Sequence, residues 1–180
     1  QYVARFGNFD RVGEYSGAFL VFGMALSYDY LWTQVRVLGG AYGCMTNTSR
    51  QKDIYFVSYR DPNLEKTNEV FEKVIDYLDN FNPTEEELTK YIIGAIGTLD
   101  TPLTPRAKGD TDFLYYLKGV TFEDLVRERK EVLQVTLNDI KALKPLIKNV
   151  LDQQICCTIG NESKVDSAKH LFKEVKNLFN

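Results

Sequence analysis

The sequence contains a single histidine, His170, among its 180 residues, and this scarcity excludes several kinds of active site. A zinc-protease helix needs two histidines one turn apart together with a glutamate, and the chain cannot supply them. A hydrolytic triad would also have to use His170, and the nucleophile motif G-x-S-x-G is absent. By itself, the sequence therefore contains no complete active site.

Cysteine is also scarce, with Cys44, Cys156 and Cys157 as the full set. An odd number argues against a disulfide framework, and neighbours in a strand, such as Cys156 and Cys157, point to opposite faces. The three positions do not have zinc-ligand spacing either. These features favour a reducing compartment, such as the cytoplasm or an organelle matrix.

Clustered positive charge and long apolar runs are missing as well. The net charge is −3 and no Lys/Arg cluster forms a face, so we expect no binding to nucleic acid. The apolar run from Gly17 to Leu26 is too short for a membrane span, so we expect no membrane segment. The chain starts at Gln1 rather than Met, and no charged-then-apolar leader precedes the first strand. We therefore expect the sequence to be a piece of a longer protein.

Strand signals are clear and are grouped along the chain. Runs of β-branched and aromatic residues, bounded by turn residues, predict strands at Tyr2–Phe6, Ala41–Asn47, Asp53–Tyr59 and Gln153–Ile159. Because helices are massed elsewhere, the pattern predicts an α+β fold with one mostly antiparallel sheet covered by helices on one face. The length favours one domain, residues 1–180.

Helices are predicted from capping signals and apolar periodicity. The first begins at Ser16 as N-cap and runs uncharged into the region of Arg36, so we expect Trp32 and the segment 19–26 to be largely buried. The segment 98–109 is predicted to be a loop. A helix is predicted from Asp61-Pro62 to Asn80, and the last helix is predicted from Glu162 to Leu178. Three further helices are predicted to start at the capping boxes Thr84/Glu87, Thr121/Asp124 and Thr136/Asp139.

The stretch from Tyr28 to Thr46 is the strongest candidate for function. Gly39-Gly40 ends the helix, since glycine accepts the left-handed conformation at a helix C-terminus, and a strand follows near Tyr42. The bend therefore places Arg36 and Tyr42 close together, and both are donors that can hold a carbonyl oxygen. A purely structural interpretation is also open, because arginine complements the dipole of a helix C-terminus and tyrosine is an ordinary strand residue.

The run from Arg36 to Gly43, R-V-L-G-G-A-Y-G, closely resembles the Arg/Tyr motif of the non-catalytic half of pitrilysin/insulinase-type zinc peptidases. It is most similar to the presequence-protease branch, whose members are long chains of four homologous domains. The resemblance corresponds to the last of those domains and covers essentially the whole chain. The other similar stretches are 31–32, 58–64, 89–94, 107–109 and 127–131.

This resemblance implies a function that the composition does not show. In the family, an N-terminal domain, absent here, binds zinc through an inverted His-x-x-Glu-His motif, and two halves close around an unfolded peptide. The arginine and tyrosine of the last domain reach across to hold the substrate carbonyl, and in this sequence they are Arg36 and Tyr42. The implied partners are the N-terminal domains of the same chain and the peptide. We expect the fragment alone to bind no metal and to be inactive.

Two other functions stay open. One is a non-catalytic structural or assembly subunit of the same fold family, like the core proteins of respiratory complexes. The other is a stand-alone peptide-binding α+β module, which the start at Gln1 disfavours. An intact pair of Arg36 and Tyr42 favours the enzyme, whereas a full-length chain without His-x-x-Glu-His would favour the structural subunit.

Overall fold

A computed structural model describes residues 1–177, and its centre is a four-stranded antiparallel sheet. In spatial order the strands are β2 (Gly43–Thr48), β3 (Asp53–Tyr59), β1 (Tyr2–Asn8) and β4 (Ile155–Ile159). Tyr59 pairs with both Tyr2 and Gly43 at one end of the sheet, and Asn8 pairs with Asp53 at the other. The start of β2 therefore lies at the opposite end of the sheet from the loop that follows β1.

Helices cover the sheet in two layers. The π-helix Leu26–Val37 continues directly from α1 (Ala18–Ala25), and both pack on the sheet with α2 (Glu65–Glu72) and α8 (Lys144–Asp152). The remaining helices are α3 (Val74–Asn80), α4 (Glu85–Leu99), α5 (Pro105–Lys118), α6 (Phe122–Leu133), α7 (Leu137–Lys141) and α9 (Glu162–Ser167). Of these, α4 and α6 pack against the outer side of α1. Within residues 1–177, no helix combines the length and the apolar character that a membrane span requires.

The two faces of the sheet differ in burial because side chains alternate along each strand. Val3 and Phe56 are buried on the face beneath the helices, whereas Phe6 is exposed on the other face. Cys156 pairs with a residue of the covered face, so the adjacent Cys157 lies on the open face, as predicted. The predicted α+β fold, with one face of an antiparallel sheet covered by helices, is confirmed.

A buried arginine fastens the sheet to two helices, and the sequence analysis missed it. Arg5 of β1 is only 2% exposed. Its Nη1 donates to Asn68 Oδ1 and to Glu72 Oε1, both at 2.9 Å, and its Nη2 donates to the Leu151 carbonyl at 2.9 Å. A charge removed from water needs such partners. These bonds fix β1 against α2 and α8.

The uncharged segment forms the central helix, as predicted, but its winding changes halfway along. The buried residues of α1 are Ala18, Phe19, Val21, Phe22 and Ala25. In the π-helix that follows, Leu31 takes the core position next to Trp32. The prediction that Trp32 is largely buried is wrong: it is 42% exposed, and its indole lies under the guanidinium of Arg36.

The predicted start of the first helix is also wrong. Gly17, not Ser16, precedes α1, and no side chain of its own segment caps it. Instead, the Gly17 N–H donates to Glu131 Oε2 at 2.7 Å. A carboxylate from α6 thus satisfies the N–H of the N-cap residue itself, and this tertiary contact leaves no local sequence signal.

The Asp61-Pro62 pair does not start a helix, since α2 begins at Glu65 and is separated from α3 at Lys73. The Asp61 carboxylate is buried and accepts hydrogen bonds from the Ser58 hydroxyl at 2.5 Å and the Thr67 hydroxyl at 2.7 Å. It also accepts the Asn63 N–H at 2.9 Å. Asp61 therefore holds the turn after β3 against α2.

The three predicted capping boxes are confirmed at the starts of α4, α6 and α7. The predicted loop 98–109 is partly wrong, because α4 reaches Leu99 and α5 starts at Pro105. There the Thr104 hydroxyl accepts the Ala107 N–H at 3.3 Å. Threonine followed by proline is an N-cap and first-turn signal that the loop interpretation overlooked.

The last predicted helix is much shorter than expected. Only Glu162–Ser167 is α-helical, a 3₁₀ turn follows at Lys169–Leu171, and residues 172–177 are non-helical; the predicted end, Leu178, lies outside the described residues. Between the two segments Ala168 is buried, so packing outweighs local helical propensity here.

The starts of two strands also differ from the prediction. Strand β2 begins at 43 rather than 41, and β4 begins at 155 rather than 153 because Gln154 has a φ of +53°.

Replacing Phe22 with alanine should lower the free energy of unfolding by about 3–5 kcal/mol. The ring is 2% exposed and packs edge-on against Phe81, with 5.9 Å between ring centroids. Urea unfolding followed by circular dichroism measures the change. Phe113→Ala, at an exposed position of α5, is the control and should change stability by less than about 0.5 kcal/mol. A loss below about 1 kcal/mol for Phe22→Ala would contradict the central position of α1.

Candidate functional site

The end of the π-helix builds one wall of the candidate site. The Gly40 N–H donates to the Arg36 carbonyl at 2.9 Å, and the Ala41 N–H donates to the Val35 carbonyl at 3.1 Å. These two bonds resemble the pair of hydrogen bonds in a Schellman motif, but each spans one more residue. The longer span is required because the turns of a π-helix are wider than those of an α-helix. A π-helix of 12 residues is unusually long, and such segments are frequent at functional sites.

Both glycines of the predicted break are required by this geometry. Gly40 has a φ of +79°, which residues with a side chain rarely adopt. A Cβ on Gly39 would lie only 2.4 Å from the carbonyl oxygen of Val35. The prediction that the glycine pair ends the helix and turns the chain into a strand is confirmed.

Tyr42 lies immediately before β2 and is supported by β3. Its N–H donates to the carbonyl oxygen of Arg60 at 3.4 Å, and its ring packs edge-on against Tyr59 with 5.5 Å between centroids. A Cβ on Gly43 would lie 2.4 Å from the Tyr59 ring, so this packing depends on glycine at that position. Tyr42 itself is 58% exposed, which leaves it accessible to a ligand.

Arg36 lies in the last turn of the π-helix and is half-buried. Its guanidinium stacks on the indole of Trp32, with Cζ 3.9 Å from the ring centroid, which is a cation–π contact. Within the described part of the chain, the guanidinium makes no hydrogen bond and no ion pair. Its position is thus fixed by stacking, while its N–H groups stay available.

Arg36 and Tyr42 line the same open depression, which has a volume of about 530 Å³. The other residues that line it are Trp32, Val37, Gly40, Ala41 and Arg60. The structure therefore brings together the two residues that the sequence singled out. None of these lining residues is acidic, so the depression contains two guanidinium groups without a carboxylate beside them.

Arg60 is the site residue that sequence reasoning missed. Its Cζ lies 5.1 Å from the centroid of the Tyr42 ring, and its side chain is exposed. Its backbone has a φ of +48°, which is uncommon for a residue other than glycine. Arg60 lies in the stretch 58–64 that resembles the family, just before the Asp61-Pro62 turn, but neither signal indicates the direction of its side chain.

The thiol nearest to this wall is not activated. Burial raises the pKa of Cys44 to about 11; the buried Asp61 carboxylate adds to the rise and the Arg36 guanidinium opposes it. Because only the thiolate is a good nucleophile, Cys44 is inert at neutral pH. The depression thus offers hydrogen-bond donors and positive charge rather than a nucleophile.

The side chains of the depression do not fit a zinc site, since guanidinium groups and a phenol are not the usual zinc ligands. Elsewhere in residues 1–177, no group of three or more His, Cys, Asp and Glu side chains is placed to hold a metal ion. The chemistry of the described residues is therefore the binding of an electron-rich group by donors.

Comparison with known proteins identifies the family. Residues 1–163 match the family model described as the PreP C-terminal domain. The chain belongs to this family of presequence-protease C-terminal domains. The predicted resemblance to the presequence-protease branch of the pitrilysin-type peptidases is confirmed.

Two relatives match almost all of the chain. Protein HypA of Clostridium perfringens (strain 13 / Type A) is 43% identical over 179 residues, which are 99% of this chain and 18% of that protein. Presequence protease 1, chloroplastic/mitochondrial, of Arabidopsis thaliana is 36% identical over 171 residues, which are 94% of this chain and 16% of that protein. The chain thus spans less than a fifth of the length of these relatives.

A solved structure shares the fold. The peptidase M16 inactive domain from Pseudomonas fluorescens superposes with a TM-score of 0.57 and 16% identity, covering 80% of this chain and 36% of that one. At this identity, the likeness shows the fold alone. It agrees with the α+β architecture described above.

Replacing Gly40 with alanine should lower the free energy of unfolding by about 1–2 kcal/mol, because its left-handed backbone is strained for any residue with a Cβ. Gly97→Ala is the matched control: this exposed glycine of α4 has open space around it, so the change should be neutral or stabilising by up to about 1 kcal/mol. Parallel urea titrations measure both. Equal effects of the two substitutions would contradict the ending described for the π-helix.

Proposed function

We propose that this chain is the C-terminal, non-catalytic domain of a zinc endopeptidase that degrades short unstructured peptides. In this proposal Arg36 and Tyr42 hold the carbonyl oxygen of the bond being cleaved, and zinc is bound by an N-terminal domain of the full-length enzyme. The observation that carries the proposal is that both side chains line one open depression. Membership of the presequence-protease family supports it.

The surroundings of the two side chains support this role. Arg36 is held by Trp32 through the face of its guanidinium, and Tyr42 is held by Tyr59 through its ring, so neither contact uses the N–H or O–H groups. The polar ends have no hydrogen-bonding partner within the described part of the chain. Donors that are in position before charge develops are what a site for an oxyanion requires.

The chemistry follows from the charge change during peptide hydrolysis. Negative charge grows on the carbonyl oxygen as the bond is attacked. A guanidinium and a phenol that donate to this oxygen stabilise the transition state more than the neutral carbonyl of the substrate. Only such differential binding lowers the barrier to the reaction.

Closure by other domains is part of the proposal. The depression is open to solvent, and water would weaken the interaction between the donors and the developing charge. We infer that the N-terminal domains of the same chain close over it with the unfolded peptide between them. The donors then act only in the closed state, which couples cleavage to enclosure of the peptide.

The alternative is a non-catalytic structural or assembly subunit of the same fold. An inactive domain of a related fold is compatible with that role. However, a structural subunit has no need to keep a guanidinium and a phenol unpaired in one depression. This feature favours the peptidase.

In the full-length protein, Arg36→Ala and Tyr42→Phe should each lower kcat about a hundred- to a thousandfold, because each removes one donor to the developing charge. Arg36→Lys should also be impaired, since a single ammonium cannot reproduce the planar set of guanidinium donors. Steady-state kinetics on a short peptide, run beside thermal unfolding, measures both activity and stability.

Two exposed residues provide matched controls for these variants. Arg11 lies in the loop after β1, at the opposite end of the sheet, and Tyr116 is exposed on α5. Arg11→Ala and Tyr116→Phe should leave kcat unchanged. If Arg36→Ala and Tyr42→Phe both keep more than about a third of kcat/KM, a barrier change below about 1 kcal/mol, the roles assigned to them are wrong.

The purified chain of 180 residues should hold no stoichiometric zinc and cleave no peptide, because its described residues offer no ligand set for a metal. Elemental analysis after dialysis against a weak chelator measures the metal content. One tightly held zinc per chain would contradict the proposal that an N-terminal domain holds the metal.

A further inference from the structure

The depression contains a second guanidinium, Arg60, which forms no ion pair with the residues that the structure describes. Five other arginines have a carboxylate partner within 4 Å, namely Arg5, Arg50, Arg106, Arg127 and Arg129. Arg60 has no such partner within the described residues. Its exposed side chain is therefore free to pair with an anionic group from outside the domain.

Asp61, the carboxylate closest to Arg60 in sequence, does not form an ion pair with it. Asp61 is buried and accepts three hydrogen bonds from the turn and from α2. None of the residues that line the depression is acidic. The positive charge of Arg60 thus faces the same space as that of Arg36, and the two together favour an anion there.

The backbone and the ring of Tyr42 set the position of Arg60. Its carbonyl oxygen accepts the Tyr42 N–H at 3.4 Å, and its guanidinium lies 5.1 Å from the centroid of the Tyr42 ring. A cation–π contact of this kind restrains the side chain without using its N–H groups. Arg60 is therefore held next to the residue that is proposed to contact the substrate.

We propose that Arg60 binds a carboxylate of the peptide, in a subsite that adjoins the carbonyl position held by Arg36 and Tyr42. A guanidinium matches a carboxylate with two parallel hydrogen bonds. The carboxylate comes either from an Asp or Glu side chain or from the C-terminus of a short peptide. The location of the subsite rests on the function proposed above.

The test uses the full-length protein and peptides of one sequence. A single Gln is replaced by Glu at successive positions around the cleaved bond, and each peptide is made as a C-terminal amide. A neutral Gln peptide with a free C-terminus forms the second arm. The measured quantity is the ratio of kcat/KM for the charged peptide to that for the neutral amide.

The unmodified protein should favour the charged peptide about tenfold at one position, mainly through a lower KM. Arg60→Gln should bring this ratio close to one, Arg60→Lys should keep part of it, and Arg60→Glu should favour a Lys peptide instead. The Glu series and the free C-terminus distinguish the two sources of the carboxylate. Arg11→Gln, at the far end of the sheet, should retain the full ratio.

Two results would overturn the proposal. One is the absence of any preference for a charged peptide in the unmodified protein. The other is a slowing of all peptides alike by Arg60→Gln, which would mean that Arg60 contacts another part of the protein or only supports Tyr42. Arg36→Ala is assayed on the same peptides to separate the two proposals. If Arg36→Ala has normal turnover while the ratio still depends on Arg60, only the carbonyl assignment is contradicted. If Arg36→Ala is slow while the ratio does not depend on Arg60, only the carboxylate subsite is contradicted.

Discussion

The glycine-terminated end of the π-helix is the constraint on which the candidate site depends. Gly40 adopts a left-handed conformation, and Gly39 passes so close to the Val35 carbonyl that no side chain fits. The chain therefore leaves the helix directly into β2. Arg36 on the last turn and Tyr42 before the strand meet in one depression as a result of this backbone path.

The rest of the fold holds the sheet against its helices and leaves the donors at this end accessible. Arg5 ties β1 to two helices, and Asp61 ties the turn after β3 to α2. By contrast, the Arg36 guanidinium stacks on the Trp32 indole and the Tyr42 ring packs on Tyr59, and within residues 1–177 neither polar end forms a hydrogen bond. Buried polar groups that are satisfied give stability, whereas exposed unsatisfied ones are suited to binding.

The sequence predicted what local chemistry determines. The capping boxes, the alternation of the strands and the glycine break each have a mechanism within a few residues, and the structure agrees with them. It could not predict long-range contacts. Glu131 of α6 accepts the N–H at the start of α1, Leu31 displaces Trp32 from the core, and Arg60 is held by contacts with Tyr42. The role of Arg36 and Tyr42 came from resemblance and stays a prediction.

The most direct test of the central claim compares the transition state with the ground state. A phosphonate peptide that mimics the charged tetrahedral state is measured against the full-length protein and its Arg36→Ala and Tyr42→Phe variants. The account predicts that inhibitor affinity falls in proportion to kcat/KM, while the affinity for a non-hydrolysed substrate analogue changes little. Equal losses of affinity for both ligands would contradict it, because the two side chains would then bind peptide without favouring the developing charge.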